Sequence, residues 1–222
     1  MEERKKQYEL KTSRNGLTVP VIGGIHLHSI YNPIKEAEAF ATGFADTLKE
    51  NNNILILGLG FGYHVEEIAK QLNSMHDSYN IIILESNQEL VQEFNKKRNF
   101  KDKNIKIFSC KPEKVDRLFV DLEFISFLRS KPSIIKHDPS FSLEKKFFME
   151  FLKYKAPTEI SQYFDLLTEP LKSYFVDLEE ETITIKDYIY SIKTKKGITH
   201  QYDYCLLAFD TIINKKNTTR GV

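Results

Sequence analysis

The sequence has no tryptophan, only two cysteines among its 222 residues, and no long apolar run. Cys110 and Cys205 lie far apart and outside any Cys-x-x-Cys spacing, so neither a disulfide framework nor a structural zinc site is expected. A membrane helix needs about 20 apolar residues, and residues 1–11 are charged, so we expect neither a membrane span nor an export signal. These features predict a cytoplasmic protein.

The chain also lacks an excess of either charge. Its 32 basic residues nearly cancel 31 acidic ones, and the net charge of +1 gives no reason to expect nucleic acid or an anionic membrane as a partner. Any such contact would have to be local. With 41% hydrophobic residues, the chain can bury one substantial core and a small additional unit.

Short apolar runs alternate with amphipathic stretches along most of the chain. The predicted strands are 54–57, 81–84, 105–108 and 133–137, and the predicted helices are 33–50, 65–72, 88–99, 112–119 and 143–154. This alternation predicts an α/β fold, an open and mainly parallel sheet with helices on both faces. Together with the glycine turn described below, it predicts a Rossmann-like, methyltransferase-like type.

Turn residues predict a β-hairpin at each end of the chain. Asn15-Gly16 joins two short strands within 8–22, and Lys195-Lys196-Gly197 separates the apolar stretches 189–194 and 204–209. A helical pattern covers 160–175, and a polar tail is expected from residue 214. We therefore predict an N-terminal hairpin and connector at 1–32, the Rossmann-like domain at 33–176, and a hairpin extension with the tail at 177–222.

Three glycines follow the first strand of the predicted sheet. Gly58, Gly60 and Gly62 have the spacing G-x-G-x-G, one residue shorter than the G-x-G-x-x-G of dinucleotide-binding enzymes, which favours a nucleoside site of the methyltransferase type. Glu85 ends the next strand, where a carboxylate accepts hydrogen bonds from the ribose hydroxyls, and His64 is placed to contact a ligand or act as a general base. These five residues are the predicted cofactor-binding site. Alternatively, the glycines only allow close packing and Glu85 caps a helix.

Two further patterns suggest chemistry. Asp138-Pro139-Ser140-Phe141 resembles the D-P-P-Y/F motif with which amino-methyltransferases hold a target amine, although Ser140 replaces the second proline. Asp138 is thus a candidate catalytic residue beside His64, and its alternative is an ordinary turn. His26 and His28 lie on one face of a strand near Glu36 or Glu38, but spacing fixes no third ligand, so no metal site is predicted.

Two segments together resemble the N-terminal region of bacterial motility accessory factors. An H-S-x-Y-x-P-x-x-E-A pattern is matched from His28 to Ala37, a G-L-G-x-G-Y-H turn from Gly58 to His64, and an I-I-I-x-E strand by residues 81–85. The resemblance implies a part in modifying flagellin or another surface structure with nonulosonic acid sugars. The transferase activity of that family is assigned to a following domain, and too few residues follow Leu152 to hold it, so no catalytic residue is carried over.

Three functions follow from these patterns. The first is a nucleotide- or nucleoside-binding module in the glycosylation of flagellin or a surface glycan, with a nucleotide sugar as ligand and flagellin or another glycosylation protein as partner. The second is an S-adenosylmethionine-dependent methyltransferase. The third is a protein-interaction domain without catalysis.

Overall fold

A four-stranded parallel sheet positions the candidate site. The computed structural model describes residues 8–156, 158–179 and 181–218, without the side chains of 213 and 215–218. The chain divides into two compact units, and the boundary along the sequence falls between Tyr154 and Lys155. The first unit contains the sheet, and each unit is described by itself below.

The sheet of the first unit confirms the α/β prediction. Its strands are β4 (Asn53–Leu57), β5 (Asn80–Glu85), β6 (Ile105–Ser109) and β7 (Ser133–Lys136). They are parallel in the order β6-β5-β4-β7, so the chain runs outward from β4 through β5 and β6 and then returns to the other side of β4. This order is the beginning of the doubly wound Rossmann topology.

The central strand β4 is buried on both faces because its side chains alternate between two cores. Ile54 and Ile56 belong to one core, and Leu55 and Leu57 belong to the other. A strand covered on both sides is expected to be continuously apolar, which is the pattern that identified this segment in the sequence.

Helices cover both faces of the sheet. The first core packs against α1 (Pro33–Thr42), α2 (Ala45–Glu50), α3 (Tyr63–Met75) and α4 (Gln88–Lys97). The second packs against a 3₁₀ segment (Pro112–Val120), α5 (Leu122–Arg129), α6 (Asp138–Leu143) and α7 (Lys145–Leu152). Helix α5 was not predicted, and the predicted helix 33–50 is divided at Gly43, where glycine and the non-helical backbone of Phe44 interrupt it.

The N-terminal hairpin prediction is confirmed. Strands β1 (Tyr8–Thr12) and β2 (Thr18–Ile22) pair antiparallel, and β2 also pairs with a short third strand, β3 (Ile25–His26). Residues 1–7 of the predicted N-terminal segment lie outside the described residues. Directly after β3 the chain carries Leu27 and His28, both buried, toward the parallel sheet.

The second unit is helical. Its helices are α8 (Ile160–Tyr163), α9 (Glu169–Phe175), α10 (Ile185–Ser191) and α11 (Gln201–Thr218). In its core, Ile160, Phe164 and Phe175 pack with Tyr188 and Ile192. The domain boundary predicted after residue 176 therefore passes through this core. The structure therefore groups 155–176 with the C-terminal residues.

The predicted C-terminal hairpin is wrong, since α10 and α11 occupy its two strand positions. The β-branched residues suggested strands, but Tyr188, Ile189 and Ile192 form one buried helical face, and the Thr184 side chain caps α10 by accepting from the Asp187 N–H. Gly197, in the predicted turn, has φ +70°. Helix α11 extends through residue 218, so the predicted polar tail begins as helix, and its remainder lies outside the described residues.

Among the residues with a described placement, no helix combines the length and apolar character needed to cross a membrane.

We expect the burial of β4 to dominate the stability of the first unit. Ile56 is fully buried, so Ile56→Ala should lower the free energy of unfolding by about 2 to 5 kcal/mol. Ile134 of the neighbouring strand β7 is 47% exposed, and Ile134→Ala should cost less than about 1 kcal/mol. Urea denaturation of the two variants measures both values, and equal losses would contradict the burial pattern.

Candidate functional site

The sheet order creates a crevice at the carboxyl ends of β4 and β7. The chain leaves β4 toward β5 on one side and reaches β7 on the other, which makes the space between β4 and β7 a topological switch point. Ligands of open α/β sheets bind outside the carboxyl ends of the strands at such a point. The glycine turn follows β4 at this edge, and His137 with Asp138 follows β7.

The three glycines of the turn all have left-handed backbone angles. The φ values of Gly58, Gly60 and Gly62 are +107°, +55° and +81°, and the Gly62 N–H closes the turn on the Leu59 carbonyl at 2.9 Å. Residues with a Cβ rarely adopt these angles. Glycine is therefore required at these positions before any ligand is considered.

Side chains of the protein itself occupy the space beside each glycine. A Cβ on Gly58 would lie 2.3 Å from the Cβ of Ser140, and one on Gly60 would lie 2.6 Å from the Nε2 of His28 and 2.9 Å from the Cε1 of His137. On Gly62 it would meet a ring carbon of Phe94 at 2.7 Å. The close approach expected of a ligand is thus made here by side chains, as the packing alternative predicts.

Glu85 holds the turn from the β5 side. Its Oε2 accepts from the Leu59 N–H and its Oε1 from the Asn87 N–H, both at 2.9 Å, so the carboxyl joins the glycine turn to the start of α4. Burial raises the pKa of Glu85 to about 7, further supported by the negative charge of Glu144, although the backbone N–H groups oppose this shift. Glu85 therefore ionises near neutral pH.

Three buried histidines meet on the β7 side of the turn. His28 follows β3, His64 lies in the first turn of α3 and His137 follows β7, and their side chains are no more than 4% exposed. The rings of His64 and His137 stack with centroids 4.1 Å apart, and the His28 ring lies 5.5 and 5.0 Å from them. One ring nitrogen of each lies within 4.8 Å of the others.

Hydrogen bonds orient each imidazole. His28 Nε2 accepts from the Phe61 N–H at 2.9 Å, while its Nδ1 lies 3.4 Å from the Glu36 carboxylate. His64 Nε2 lies 3.2 Å from the Gly58 carbonyl, and His137 Nδ1 lies 2.8 Å from the Ser140 hydroxyl. Each ring thus contacts a group of the turn or of a segment that covers it.

Burial makes the three rings neutral. Burial lowers the pKa of His28, although Glu36 opposes this shift. It lowers the pKa values of His64 and His137 further below the usual value, and repulsion from the neighbouring rings adds to the effect on these two. The contact between His28 and Glu36 is therefore a hydrogen bond rather than an ion pair. Neutral imidazoles keep nitrogen lone pairs available as acceptors or ligands.

A cavity of about 200 Å³ opens beside the histidines. The side chains around it combine three imidazoles with carboxylates and apolar groups, namely His28, Glu36, Ala37, Phe40, His64, His137, Asp138 and Pro139. Larger clefts of about 620 and 460 Å³ lie along α3 and at the amino ends of the strands, away from the histidines. The switch point thus has a small polar cavity, smaller than the roughly 300 to 1,000 Å³ typical of ligand pockets.

The structure brings all the predicted site residues to one edge of the sheet. Asp138 begins α6 and faces the cavity, and His28 approaches Glu36 as considered from the sequence, whereas His26 is not part of the histidine cluster. The roles predicted for these residues stay predictions. His137 was missed, although its place directly after a parallel strand is the signal that would have identified it.

Comparison with known proteins finds solved structures of low similarity. No known protein family model matches the chain, and no curated protein matches it. Similar solved structures include MNMC2 from Aquifex aeolicus (16% identity over 60% of this chain, TM-score 0.38) and spermidine synthase from Thermotoga maritima (14% over 72%, TM-score 0.42). A spermidine synthase in complex with the transition-state analogue AdoDATO is 15% identical over 72% of this chain, with a TM-score of 0.41. The chain spans 58%, 64% and 65% of those chains, respectively.

The parallel strand order and the helices on both faces of the sheet give the first unit a Rossmann-like α/β fold.

We expect the contact at Gly60 to be more restrictive than its backbone angle. Gly24 also has a positive φ, +83°, but no atom of the described residues lies within 4 Å of its Cβ position, so Gly24→Ala should cost only the backbone strain of about 1 to 2 kcal/mol. Gly60→Ala should cost about 1 to 3 kcal/mol more, because its methyl group displaces His28 and His137. Denaturant titration of both variants tests this, and equal losses would exclude the close approach.

The raised pKa of Glu85 predicts a pH-dependent stability. The unfolded carboxyl ionises near its ordinary pKa of 4.5 and the folded one near 7, so between these values the native state binds more protons. The unfolding free energy of the wild type should therefore fall, relative to Glu85→Gln, by about 3 kcal/mol as the pH rises from 4 to 8. Denaturation across this range, with Glu50→Gln as the exposed control, measures the difference. A difference that does not change with pH would contradict the raised pKa.

Proposed function

We propose that the first unit binds the nucleoside part of an S-adenosylmethionine-type ligand at the carboxyl ends of β4 and β5. The observation that carries this proposal is the position of Glu85. It ends the strand next to β4, is 2% exposed, and directs an oxygen to the N–H of Leu59 within the glycine turn. A carboxylate at this position can accept hydrogen bonds from two ribose hydroxyls.

The electrostatics of Glu85 favour such a ligand. Among the described residues, no Lys or Arg forms an ion pair with it, and burial penalises its charged form. A carboxylate offers about four acceptor positions, and the N–H groups of Leu59 and Asn87 occupy two. Hydroxyl donors at the remaining positions would stabilise the carboxylate, so binding should be accompanied by loss of a proton.

The fit to a whole S-adenosylmethionine molecule is incomplete. Glu85 suits the ribose, but Ser140, His28 and Phe94 lie against the glycine faces. The ligand therefore has to displace side chains, above all Ser140 of the short helix α6. We derive no methyl-transfer step from this arrangement, and the proposal concerns binding.

Modification of flagellin or a surface glycan is the second candidate. The observation that favours it is that the two motif segments of the motility accessory factor resemblance contact each other. His28 and Glu36 belong to the first segment. Phe61, whose N–H donates a hydrogen bond to His28 Nε2, belongs to the second. This contact supports a common role for the segments, for which a CMP-linked nonulosonic acid is the ligand to test.

Calorimetric titration of the full chain separates these functions. We expect micromolar binding of S-adenosylmethionine or S-adenosylhomocysteine, strengthening about tenfold from pH 6 to pH 8 because the ionised form of Glu85 binds the ribose. Glu85→Gln should weaken binding and remove its pH dependence, whereas Glu50→Gln, on the exposed end of α2, should change neither.

Other outcomes of the titration are also informative. Binding of CMP-linked nonulosonic acid alone would favour the second candidate. If folded wild-type protein binds none of these compounds, both ligand proposals fail and an interaction domain without a nucleotide ligand is left. Adenosyl binding that Glu85→Gln does not weaken would place the ligand elsewhere.

A further inference from the structure

The histidine cluster has a feature that packing alone does not explain. The Nδ1 atom of His64 is buried and, within the described part of the chain, has no hydrogen-bond partner. The Nε2 atom of the same ring faces the Gly58 carbonyl at 3.2 Å and so carries the proton. Nδ1 therefore has an unused lone pair next to two other imidazoles, and a buried acceptor left unsatisfied in this way is unfavourable.

Each of the other two rings also has one unprotonated nitrogen, which now faces a neighbouring group. His28 Nδ1 faces the Glu36 carboxylate, which places its proton there and leaves Nε2 as an acceptor. The His137 ring donates to the backbone of Leu27, and its Nδ1 lies beside the Ser140 hydroxyl. Three neutral imidazoles, each with one proton held by an outer acceptor, are thus gathered on one site.

The hydrogen bonds around these rings are those expected of a metal site. In such sites a histidine that binds the metal through one nitrogen donates its other N–H to a carboxylate or a backbone carbonyl, which fixes the orientation of the ring. Glu36 acts in this way on His28, and the Gly58 carbonyl acts on His64. The Ser29 N–H in turn donates to Glu36 Oε2 at 2.7 Å, which holds the outer carboxylate in place.

We propose that His28, His64 and His137 bind a divalent transition-metal ion of the zinc class. Imidazole nitrogen suits zinc, cobalt, nickel and copper, and three protein ligands with an open position are typical of sites that bind a further water or substrate. The cavity of about 200 Å³ beside the rings, lined also by Asp138, provides the space for such a group.

Two existing hydrogen bonds change when the metal binds. His28 Nε2 no longer accepts from the Phe61 N–H, and His137 Nδ1 loses its contact with the Ser140 hydroxyl. His64 Nδ1 loses nothing, because it has no partner among the residues that the structure describes. His64 is therefore the ligand that is already prepared, and we expect its substitution to have the largest effect on affinity.

The proposal revises the sequence prediction that there is no metal site, and it is independent of nucleoside binding. Spacing along the chain could not reveal the site because its ligands lie 36 and 73 residues apart (28 to 64 and 64 to 137). A chain that binds metal but no adenosyl compound would retain this proposal and overturn the proposed function. A chain that binds an adenosyl compound but no metal would retain the proposed function and overturn this proposal.

The first experiment uses the wild-type full chain. After treatment with EDTA and dialysis, the protein is titrated with Zn²⁺ in competition with a chromophoric chelator, and separately with Co²⁺ while visible absorption is recorded. We expect one equivalent of either ion per chain, a rise in the thermal midpoint, and cobalt bands in the range of four- or five-coordinate nitrogen and oxygen ligation. Absence of stoichiometric binding by the folded protein overturns the proposal.

The variants identify the ligands. His64→Phe keeps a ring but removes both nitrogens, and we expect it to weaken Zn²⁺ binding more than 100-fold. His76→Phe is the matched control, since His76 follows α3 at the other end of the helix and contacts the Leu48 carbonyl instead. Circular dichroism of the EDTA-treated variants confirms folding. Unchanged stoichiometry and affinity in folded His64→Phe would overturn the assignment.

A second pair of variants tests the carboxylate that orients His28 and needs no substitution in the core. Glu36→Gln removes the carboxylate that orients His28, and outer partners of this kind change metal affinity by about 10- to 100-fold. Glu38→Gln, on the exposed surface of the same helix, should leave the affinity unchanged. Equal affinities in the two variants would show that His28 is not held as a ligand by Glu36, and the three-histidine site would then be rejected.

Discussion

The carboxyl edge of the sheet depends on a turn that has no Cβ atoms at three positions. Gly58, Gly60 and Gly62 adopt left-handed angles. The space beside them is filled by side chains from elsewhere in the chain, namely Ser140, His28, His137 and Phe94. Three separate segments of the chain therefore contact the five residues of this turn. Because interiors are close-packed, a single methyl group on this turn moves parts of the protein that are distant in sequence.

Buried polar groups on both sides of the turn complete its structure. The Leu59 N–H donates to Glu85 and the Phe61 N–H donates to His28, so alternate backbone groups of the turn point toward β5 and toward the histidine cluster. Without these acceptors, two buried N–H groups would be unsatisfied. The packing role and the proposed binding role therefore use the same atoms. Glu85 keeps free acceptor positions for a ligand, whereas a metal ion on His28 Nε2 would take the place of the Phe61 N–H.

Much of the fold could be predicted from the sequence, and the details of the site could not. The continuous apolar run that ends at Leu57 identified a strand buried on both faces, and Asn15-Gly16 identified the N-terminal hairpin. The C-terminal hairpin was wrong because helical packing in the second unit outweighed the strand preference of Ile189 and Ile192. The histidine cluster depends on which side chains the strand order brings together, and spacing along the chain does not contain that information.

The turn also connects the two halves of the candidate site. A metal ion on His28 Nε2 would release the Phe61 N–H, and a ribose on Glu85 would share the carboxylate that holds the Leu59 N–H, so each ligand would act on a group bonded to the same short segment. Gly60 lies between these two groups, and its freedom of rotation allows the turn to adjust to either change. Occupation of one side should therefore alter the affinity of the other, and by thermodynamic linkage the effect must be equal in both directions. The glycines would thus permit the two proposed sites, which differ in their chemistry, to share one edge of the sheet.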